Sequence, residues 1–207
     1  MSGWSDNWND DNDWMKEEEQ KPLRVKCTDA DCESDLHCFL STKQMIDEGT
    51  KGSCRYCGVD LVNWERVHTK DINDTEYLFK SLKYELIRHH LWHVDIDQKA
   101  INYGRRKGKI KLKEAVINRL NKHLKGLPNN WDGRQTPFEG NIIFYAQHAT
   151  ATCCRKCVAY WYGIPSDREL TSQEVQYFTD LIMKYVDERM PNLTVGGEKV
   201  PPIRKKA

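Results

Sequence analysis

Eight cysteines decide how this sequence can fold, because all but Cys38 fall into short local groups. Cys54 and Cys57 form a C-x-x-C pair, and three further cysteines and a histidine crowd into residues 148–157. The N-terminus is acidic and lacks the basic and apolar stretches of a secretory signal, so a reducing compartment is expected. Grouped cysteines in such a compartment favour metal ligation over disulfides. The sequence therefore predicts two zinc ions in a cytoplasmic protein.

The first predicted zinc site is built on the C-x-x-C-G sequence at residues 54–58. Two thiolates at this spacing can hold one tetrahedral zinc ion, and the glycine permits a tight turn after the second ligand. Cys27 and Cys32 are the preferred upstream partners, which would give a four-cysteine site. His37 and Cys38 compete for one ligand position. Because successive residues of a strand face opposite sides, at most one of these two is expected to reach the ion.

The second predicted site lies in the segment H-A-T-A-T-C-C-R-K-C at residues 148–157. A helix that begins at about residue 152 would place all three cysteines in its first two turns, where N–H groups and the helix dipole stabilise thiolates. Cys154 and Cys157 would share a helical face, and Cys153 would point elsewhere or complete the site. His148 and His93 are candidates for the remaining ligands.

The sequence around this segment resembles a known family. D-G-R-Q-T-P at residues 132–137, the H-A-T-A-T-C-C-R-x-C core, and Trp161 followed by G-I-P resemble the bacterial domain-of-unknown-function family 4186, over roughly residues 80–190. The resemblance implies that the site residues are His93, His148, Cys153, Cys154 and Cys157. The chain departs from the family pattern at Tyr162, where a histidine is expected. The family carries no assigned activity, so the resemblance indicates site residues but does not indicate a function.

Charge is distributed unevenly along the chain. The net charge is +1, but residues 1–19 carry −6, so the remainder carries +7. Cations concentrate in one basic strip, which consists of Arg105, Arg106, Lys107, Lys109, Lys111 and Lys113. If the strip were extended, its four lysines would lie on one side and could follow a phosphate backbone. Arg134, in a polar loop, is a further candidate contact.

Two functions follow from these patterns. The first is a zinc-binding protein that binds nucleic acid through the basic strip. The alternative is a zinc-dependent enzyme, of hydrolase or modification type, that acts on nucleic acid or a nucleobase. Its zinc site, at His148, Cys154 and Cys157, would keep an open position for activated water.

The expected architecture is α+β, with a small N-terminal zinc ribbon and a mainly helical domain that carries the second Cys/His site. Residues 1–22 are predicted to be a disordered acidic tail containing tryptophans, which could contact a protein partner or the basic strip. The ribbon spans residues 23–70, the helical domain 71–190, and a flexible basic tail 191–207. No stretch approaches the roughly 20 apolar residues that a membrane span requires.

Several elements can be predicted inside these domains. Residues 72–94 have helical periodicity, and residues 95–126 predict one or two further helices. Residues 141–149 predict a short strand or an extended segment. A helix is expected from about residue 152 to 162. The capping-box sequence T-S-Q-E at residues 171–174 predicts the start of a final helix.

Overall fold

A computed structural model of the protein describes residues 25–127, 136–201 and 203. The predicted acidic tail and Arg134 lie outside these residues. The described helices, in chain order, are α1 Lys43–Asp47, α2 Trp64–His68, α3 Thr75–Lys83, α4 Leu86–His93, α5 Gln98–His123, α6 Ile142–Ala149, α7 Arg155–Tyr162 and α8 Ser172–Arg189. Short 3-10 helices occur at Cys32–Ser34 and Ile72–Asp74.

The α+β prediction is wrong, because the described residues are helical and contain isolated β-bridges but no sheet. Residues 37–42 alternate like a strand, yet His37 meets the junction between α3 and α4. The His37 N–H donates to the Tyr84 carbonyl at 2.7 Å, and the Leu86 N–H donates to the His37 carbonyl at 2.9 Å. A helix junction thus satisfies the backbone that a ribbon would have paired with a second strand.

Helix α6 forms where a strand or extended segment was expected. Asn141 caps it, with its side chain accepting from the Ile143 N–H at 2.9 Å. All eight residues of α6 are buried. A helix that is buried all round lacks the one-sided apolar pattern of a surface helix, and that pattern is the signal from which a helix is predicted. Helix α6 packs against α4, α5 and α8, and so forms the centre of the bundle.

The N-terminal segment packs directly on the helical bundle. The Phe39 ring meets Trp161 of α7 edge-on, with centroids 6.3 Å apart. Trp64 of α2 lies 5.2 Å from the same indole. Trp161 is fully buried. The hydrophobic core therefore runs without a break from residues 39–67 into the bundle.

Helix α5 bends at Gly108, whose φ of +63° is left-handed. The bend frees backbone groups that the C-terminal segment then satisfies. The Lys109 N–H donates to the Thr194 carbonyl at 2.9 Å, and the Glu198 N–H donates to the Arg105 carbonyl at 2.9 Å. Residues 194–198 of the predicted flexible tail are thus bound along α5.

The predicted start of the final helix is confirmed. Thr171 accepts from the Glu174 N–H, and the Glu174 carboxylate accepts from the Thr171 N–H, so the capping box is formed. Among the described residues, no helix is both long and apolar enough to cross a membrane.

Candidate metal centres

Four possible ligand atoms gather where the N-terminal segment meets the C-x-x-C turn. The Sγ atoms of Cys32, Cys54 and Cys57 and a ring nitrogen of His37 lie within 4.8 Å of one another. The Cys32 and Cys54 Sγ atoms are 3.7 Å apart, and His37 Nδ1 is 3.5 Å from the Cys57 Sγ. Three thiols and one imidazole are a donor set that zinc takes in closed structural sites. These four residues are centre 1.

Two local turns position the ligands of centre 1. The Gly58 N–H donates to the Cys54 carbonyl at 2.8 Å, and Gly58 has a φ of +74°, which glycine adopts without strain. Upstream, the 3-10 turn Cys32–Ser34 ends at Asp35, whose φ is +58°. This reversal returns the chain so that His37 comes back beside Cys32.

Asp35 orients the imidazole of centre 1. His37 Nε2 lies 2.9 Å from Asp35 Oδ1, which leaves Nδ1 facing the Cys57 thiol. A carboxylate on the second ring nitrogen fixes the tautomer and orientation of a metal-binding histidine. Burial lowers the pKa of His37, but the hydrogen bonds to Asp35 and Cys54 outweigh it and raise the pKa overall.

Centre 1 already favours one thiolate. Burial raises the pKa of the Cys54 thiol, but hydrogen bonds from backbone N–H groups, beginning with that of Cys57, outweigh it and lower the pKa to about 6. Burial and hydrogen bonds to Cys57 and Cys54 raise the pKa of Cys32 to about 12. Because a metal binds the deprotonated sulfur, Cys54 is prepared as the first ligand.

Of the upstream candidate ligands His37, Cys38 and Cys27, only one belongs to centre 1. His37 enters centre 1 and the buried Cys38 does not, as the alternation along this segment predicts. Cys38 Sγ instead lies 3.3 Å from the Cys27 carbonyl. Cys27, preferred from the sequence, is in neither group of ligand atoms, and it is exposed.

The second group consists of Cys153, Cys154 and Cys157, whose Sγ atoms lie within 4.8 Å of one another. Helix α7 begins at Arg155, later than predicted, so Cys153 precedes the helix and Cys154 caps it. The Cys154 Sγ accepts from the Cys157 N–H at 3.4 Å. All three are free thiols. These three residues are centre 2.

Arg88 of α4 places a buried cation against centre 2. Its Nη2 donates to the Cys157 Sγ at 3.2 Å, and its Nη1 lies 4.0 Å from the Cys153 Sγ. Hydrogen bonds from neighbouring thiols, those of Cys153 and Cys154 first, and the charge of Arg88 hold the pKa of Cys157 well below its usual range. Hydrogen bonds to Cys154 and Cys157 raise that of Cys153 well above it. In centre 2, Cys157 is therefore the residue that most readily becomes a thiolate, whereas Cys153 stays a protonated thiol.

Arg88 is itself held by a fixed set of acceptors. Its Nε donates to Glu85 at 3.1 Å, and its Nη1 donates to the His148 carbonyl at 2.6 Å. Glu85 also accepts from the Trp161 indole at 2.9 Å. Burial raises the pKa of Glu85, and the charge of Arg88 opposes that rise. Sequence reasoning missed this pair, although two charges three residues apart in an apolar helix were the available signal.

Polar side chains hold the turn that carries the vicinal cysteines. Ala151 has a φ of +54°, and the Gln147 amide donates to the Thr152 carbonyl at 3.0 Å. Gln147 in turn accepts from Arg119 at 2.6 Å. Thr136 donates to the Cys153 carbonyl at 2.9 Å. The turn is thus braced from α5, α6 and the segment after residue 135.

The two histidines predicted as ligands lie outside the three-thiol group. His148 Nε2 is 3.1 Å from the Thr136 carbonyl, and the His148 ring stacks on Phe138 with centroids 4.2 Å apart. His93 is exposed, and its Nδ1 lies 2.7 Å from the His89 carbonyl. Tyr162, at the position where a histidine was expected, donates to the Thr150 carbonyl and is fully buried.

The basic strip lies in α5, on both sides of the bend at Gly108, and is not extended, so the expectation that an extended strip would put its four lysines on one side does not apply. Three cations are paired with acids: Arg105 with Glu198 at 2.8 Å, Lys109 with Asp187 at 2.6 Å, and Lys113 with Asp180 at 2.9 Å. Lys107 lies over the Tyr103 ring, 5.2 Å from its centroid. Arg106 and Lys111 are exposed.

Residues 76–187 match the family described as Domain of unknown function (DUF4186). The match covers more than half of the chain, and the chain belongs to this family. It includes α4 to α7, nearly all of α3 and α8, and centre 2, whereas centre 1 lies before it. No solved structure matches the chain.

Proposed function

We propose that this chain is a zinc-binding protein that holds two ions, the first of them structural. The observation that carries the proposal is the convergence of four ligand atoms at centre 1 within 4.8 Å. Cys54 is buried, and the His37 ring is oriented by Asp35. A complete ligand set with an ordered outer partner supports a closed, structural site.

Centre 2 is proposed as the second zinc site because its donors are soft and preorganised. Three thiols meet a buried guanidinium that stabilises sulfur in its charged form. N–H donors to sulfur partly offset the negative charge that several thiolates bring to one zinc ion. The thiol protons would leave on metal binding, so affinity at both centres should rise with pH.

The enzyme alternative has weaker support than a structural role. One cleft, of about 720 Å³, is lined by residues such as Leu36, Phe79 and Lys184. A smaller one, of about 430 Å³, lies beside Gly163 and Pro165. Neither of these described clefts is lined by a cysteine of centre 2. Activated water needs access to the metal.

The test is metal content per chain in matched variants. The full-length protein, reconstituted with zinc under reducing conditions, should retain two ions after dialysis. Cys54→Ala should retain one ion and Cys154→Ala should retain one, because each change removes a ligand of a different centre. Cys38→Ala, which removes a thiol outside both groups, should retain two. One ion in the wild-type protein, or two in both ligand variants, would reject the proposal.

Nucleic acid binding is a second candidate, supported by two cations that precede the bend of α5. Arg106 is exposed and Lys107 is partly exposed, and Lys107 lies on Tyr103, so cations and an aromatic ring adjoin as in surfaces that bind single strands. The ion pairs of Lys109 and Lys113 leave less free charge than the sequence suggests.

Binding of a single-stranded oligonucleotide, measured against salt concentration, tests this candidate. The double substitution R106Q/K107Q should weaken binding and reduce the slope of log affinity against log salt by about one per lost phosphate contact. The matched variant K109Q/K113Q should have the smaller effect, because those cations already have partners. Equal affinity in wild type and R106Q/K107Q would exclude this surface.

A further inference from the structure

We propose that His89 and His93 of α4 form a third metal site, which binds a divalent transition-metal ion such as Zn²⁺ through two imidazoles. The two residues are four positions apart, so their side chains lie on the same face of the helix. Their ring centroids are 4.1 Å apart, with 31° between the ring planes. Histidines at this spacing on one helix hold the zinc ion of H-E-x-x-H metalloproteases. This chain has His90 in place of the catalytic glutamate, so the spacing favours metal binding and not that chemistry.

A hydrogen bond determines which nitrogen of His93 can bind the ion. His93 Nδ1 lies 2.7 Å from the His89 carbonyl, and a carbonyl oxygen only accepts, so Nδ1 carries the proton. In the neutral ring, Nε2 then has an unshared electron pair and is the ligand atom. A backbone carbonyl on the other ring nitrogen is a common outer partner of a metal-binding histidine. His93 is therefore held in the tautomer that metal binding through Nε2 requires.

The histidine pair is open to solvent, unlike the thiol centres. His93 is exposed and His89 is half-buried, whereas Cys54 of centre 1 and Cys153 of centre 2 are buried. His89 also lines the cleft of about 720 Å³, so the ion would lie at the edge of that cleft. Because the pair supplies two ligands, water or a donor group of a small molecule would fill the remaining positions. We therefore expect this site to exchange its metal and to lose it in a dialysis that leaves the thiol centres loaded.

The charges beside the pair leave room for a cation. Lys83 lines the same cleft as His89, but its Nζ lies 3.2 Å from a carboxylate oxygen of Glu188 and 4.2 Å from the centroid of the Trp92 ring. The positive charge nearest to His89 along the cleft is thus partly neutralised. Among the residues that line the cleft, three carboxylates balance three lysines: Asp35, Glu76 and Glu188 against Lys80, Lys83 and Lys184. A bound divalent ion would therefore not meet a surface of net positive charge.

The donor chemistry separates this site from centres 1 and 2. Two imidazoles suit borderline ions such as Zn²⁺, Ni²⁺ and Cu²⁺, whereas groups of thiolates select softer ions. The sequence led us to expect His93 at centre 2, but its ring pairs with His89 instead. The third site does not depend on the proposed function, because neither histidine belongs to a thiol centre.

Calorimetric titration of the zinc-loaded, dialysed full-length chain with zinc chloride tests the site. The wild-type chain should bind one further equivalent, more weakly than the ions that survive dialysis. His93→Ala and His89→Ala should each weaken this binding at least about tenfold, which is the lower end of the cost of losing even an outer partner of a metal ligand. His90→Ala is the matched control, because it removes the neighbouring imidazole of the same helix, and it should bind the further ion as the wild type does.

Histidine ring signals in NMR spectra of the wild-type chain give a readout that does not depend on the folding of a variant. The further equivalent of zinc should shift the ring protons of His89 and His93 and leave those of the buried His148 in place. No further equivalent in the wild type, or equal affinity in the wild type and His93→Ala, would overturn the proposal. Loss of binding in His90→Ala would also overturn it, because the ion would then belong to His90. Metal analysis after dialysis counts the ions of centres 1 and 2 separately, so their outcome and this one are distinguishable.

Discussion

Arg88 shows at the scale of one residue how charge is arranged around sulfur. The side chain is about 1% exposed and donates to Glu85, to the His148 carbonyl and to Cys157. Arg88→Met would leave Glu85 as an unpaired buried carboxylate beside thiols. We expect a loss of about 3–5 kcal/mol in the free energy of unfolding, because one partner of a buried ion pair remains uncompensated. Denaturant unfolding of the zinc-loaded wild-type and Arg88→Met proteins measures this difference in the free energy of unfolding.

A double-mutant cycle separates the ion pair from the sulfur contact. Glu85→Gln combined with Arg88→Met should cost less than the two single changes together, because the stranded charge is gone. Whatever loss remains belongs to the bonds from Arg88 to sulfur and to the His148 carbonyl. Additive single effects would show that Glu85 and Arg88 are not coupled.

The family resemblance implies that His148 is a site residue, whereas the geometry gives its ring a structural role. Its ring faces two backbone carbonyls and stacks on Phe138. His148→Ala should therefore leave two zinc ions bound and lower the free energy of unfolding by about 2 kcal/mol through lost packing and hydrogen bonding. Metal analysis and denaturant unfolding of the same preparation check both parts. Loss of one ion would instead restore His148 as a ligand.

At the scale of the element, the bend in α5 depends on glycine. A Cβ at Gly108 would lie 2.3 Å from the Gly196 carbonyl carbon, and the φ of +63° disfavours other residues. Gly108→Ala should cost about 2–4 kcal/mol by combining left-handed strain with a backbone clash. Gly126→Ala is the matched control, since its Cβ would meet no atom within 4 Å. Equal stability of the two variants would contradict the tight approach.

The ion pair between Glu174 and Arg168 at the N-terminus of α8 should make the stability of the protein depend on pH in the acid range. The hydrogen bond from Arg168 lowers the pKa of Glu174 to about 2 from an ordinary 4.5, against the opposing effect of burial. Because the folded-state pKa is the lower one, this stabilisation is complete above about pH 4.5 and is lost as the pH falls towards 2. Glu174→Gln should cost about 1 kcal/mol at neutral pH, and its deficit should shrink on acidification. A deficit independent of pH between 2 and 6 would refute this.

The elements also show what could be predicted from sequence. The capping box located α8 because its bonds involve residues three positions apart. Helix α6 could not be recognised by periodicity, since all its faces are buried. His37 entered centre 1 because its backbone pairs with the α3–α4 junction, a contact with Tyr84 and Leu86 that depends on the tertiary fold. Local spacing identified which cysteines group, but the fold assigned each to its centre.

At the scale of the whole molecule, one aromatic contact links the surroundings of the two centres. Phe39 and Trp64 join the segment around centre 1 to Trp161. Trp161 donates to Glu85, which holds Arg88 against centre 2. A continuous path of packed rings and hydrogen bonds thus connects the centres. Loss of the metal from one centre should consequently lower the local stability around the other.

Zinc removal tests this connection by amide hydrogen exchange on the full-length protein. Chelation should increase exchange across residues 26–68, which contain few helical hydrogen bonds and would lose their metal ligands. It should also increase exchange in α4 and α7, which carry Arg88 and the centre 2 cysteines, whereas most of α8 should keep its protection. The Cys54→Ala variant, emptied at centre 1 alone, should show the increase in α7 in weaker form, transmitted through Trp64 and Trp161. Increases confined to residues 26–68 in that variant would mean that the two centres are energetically independent, despite the core that they share.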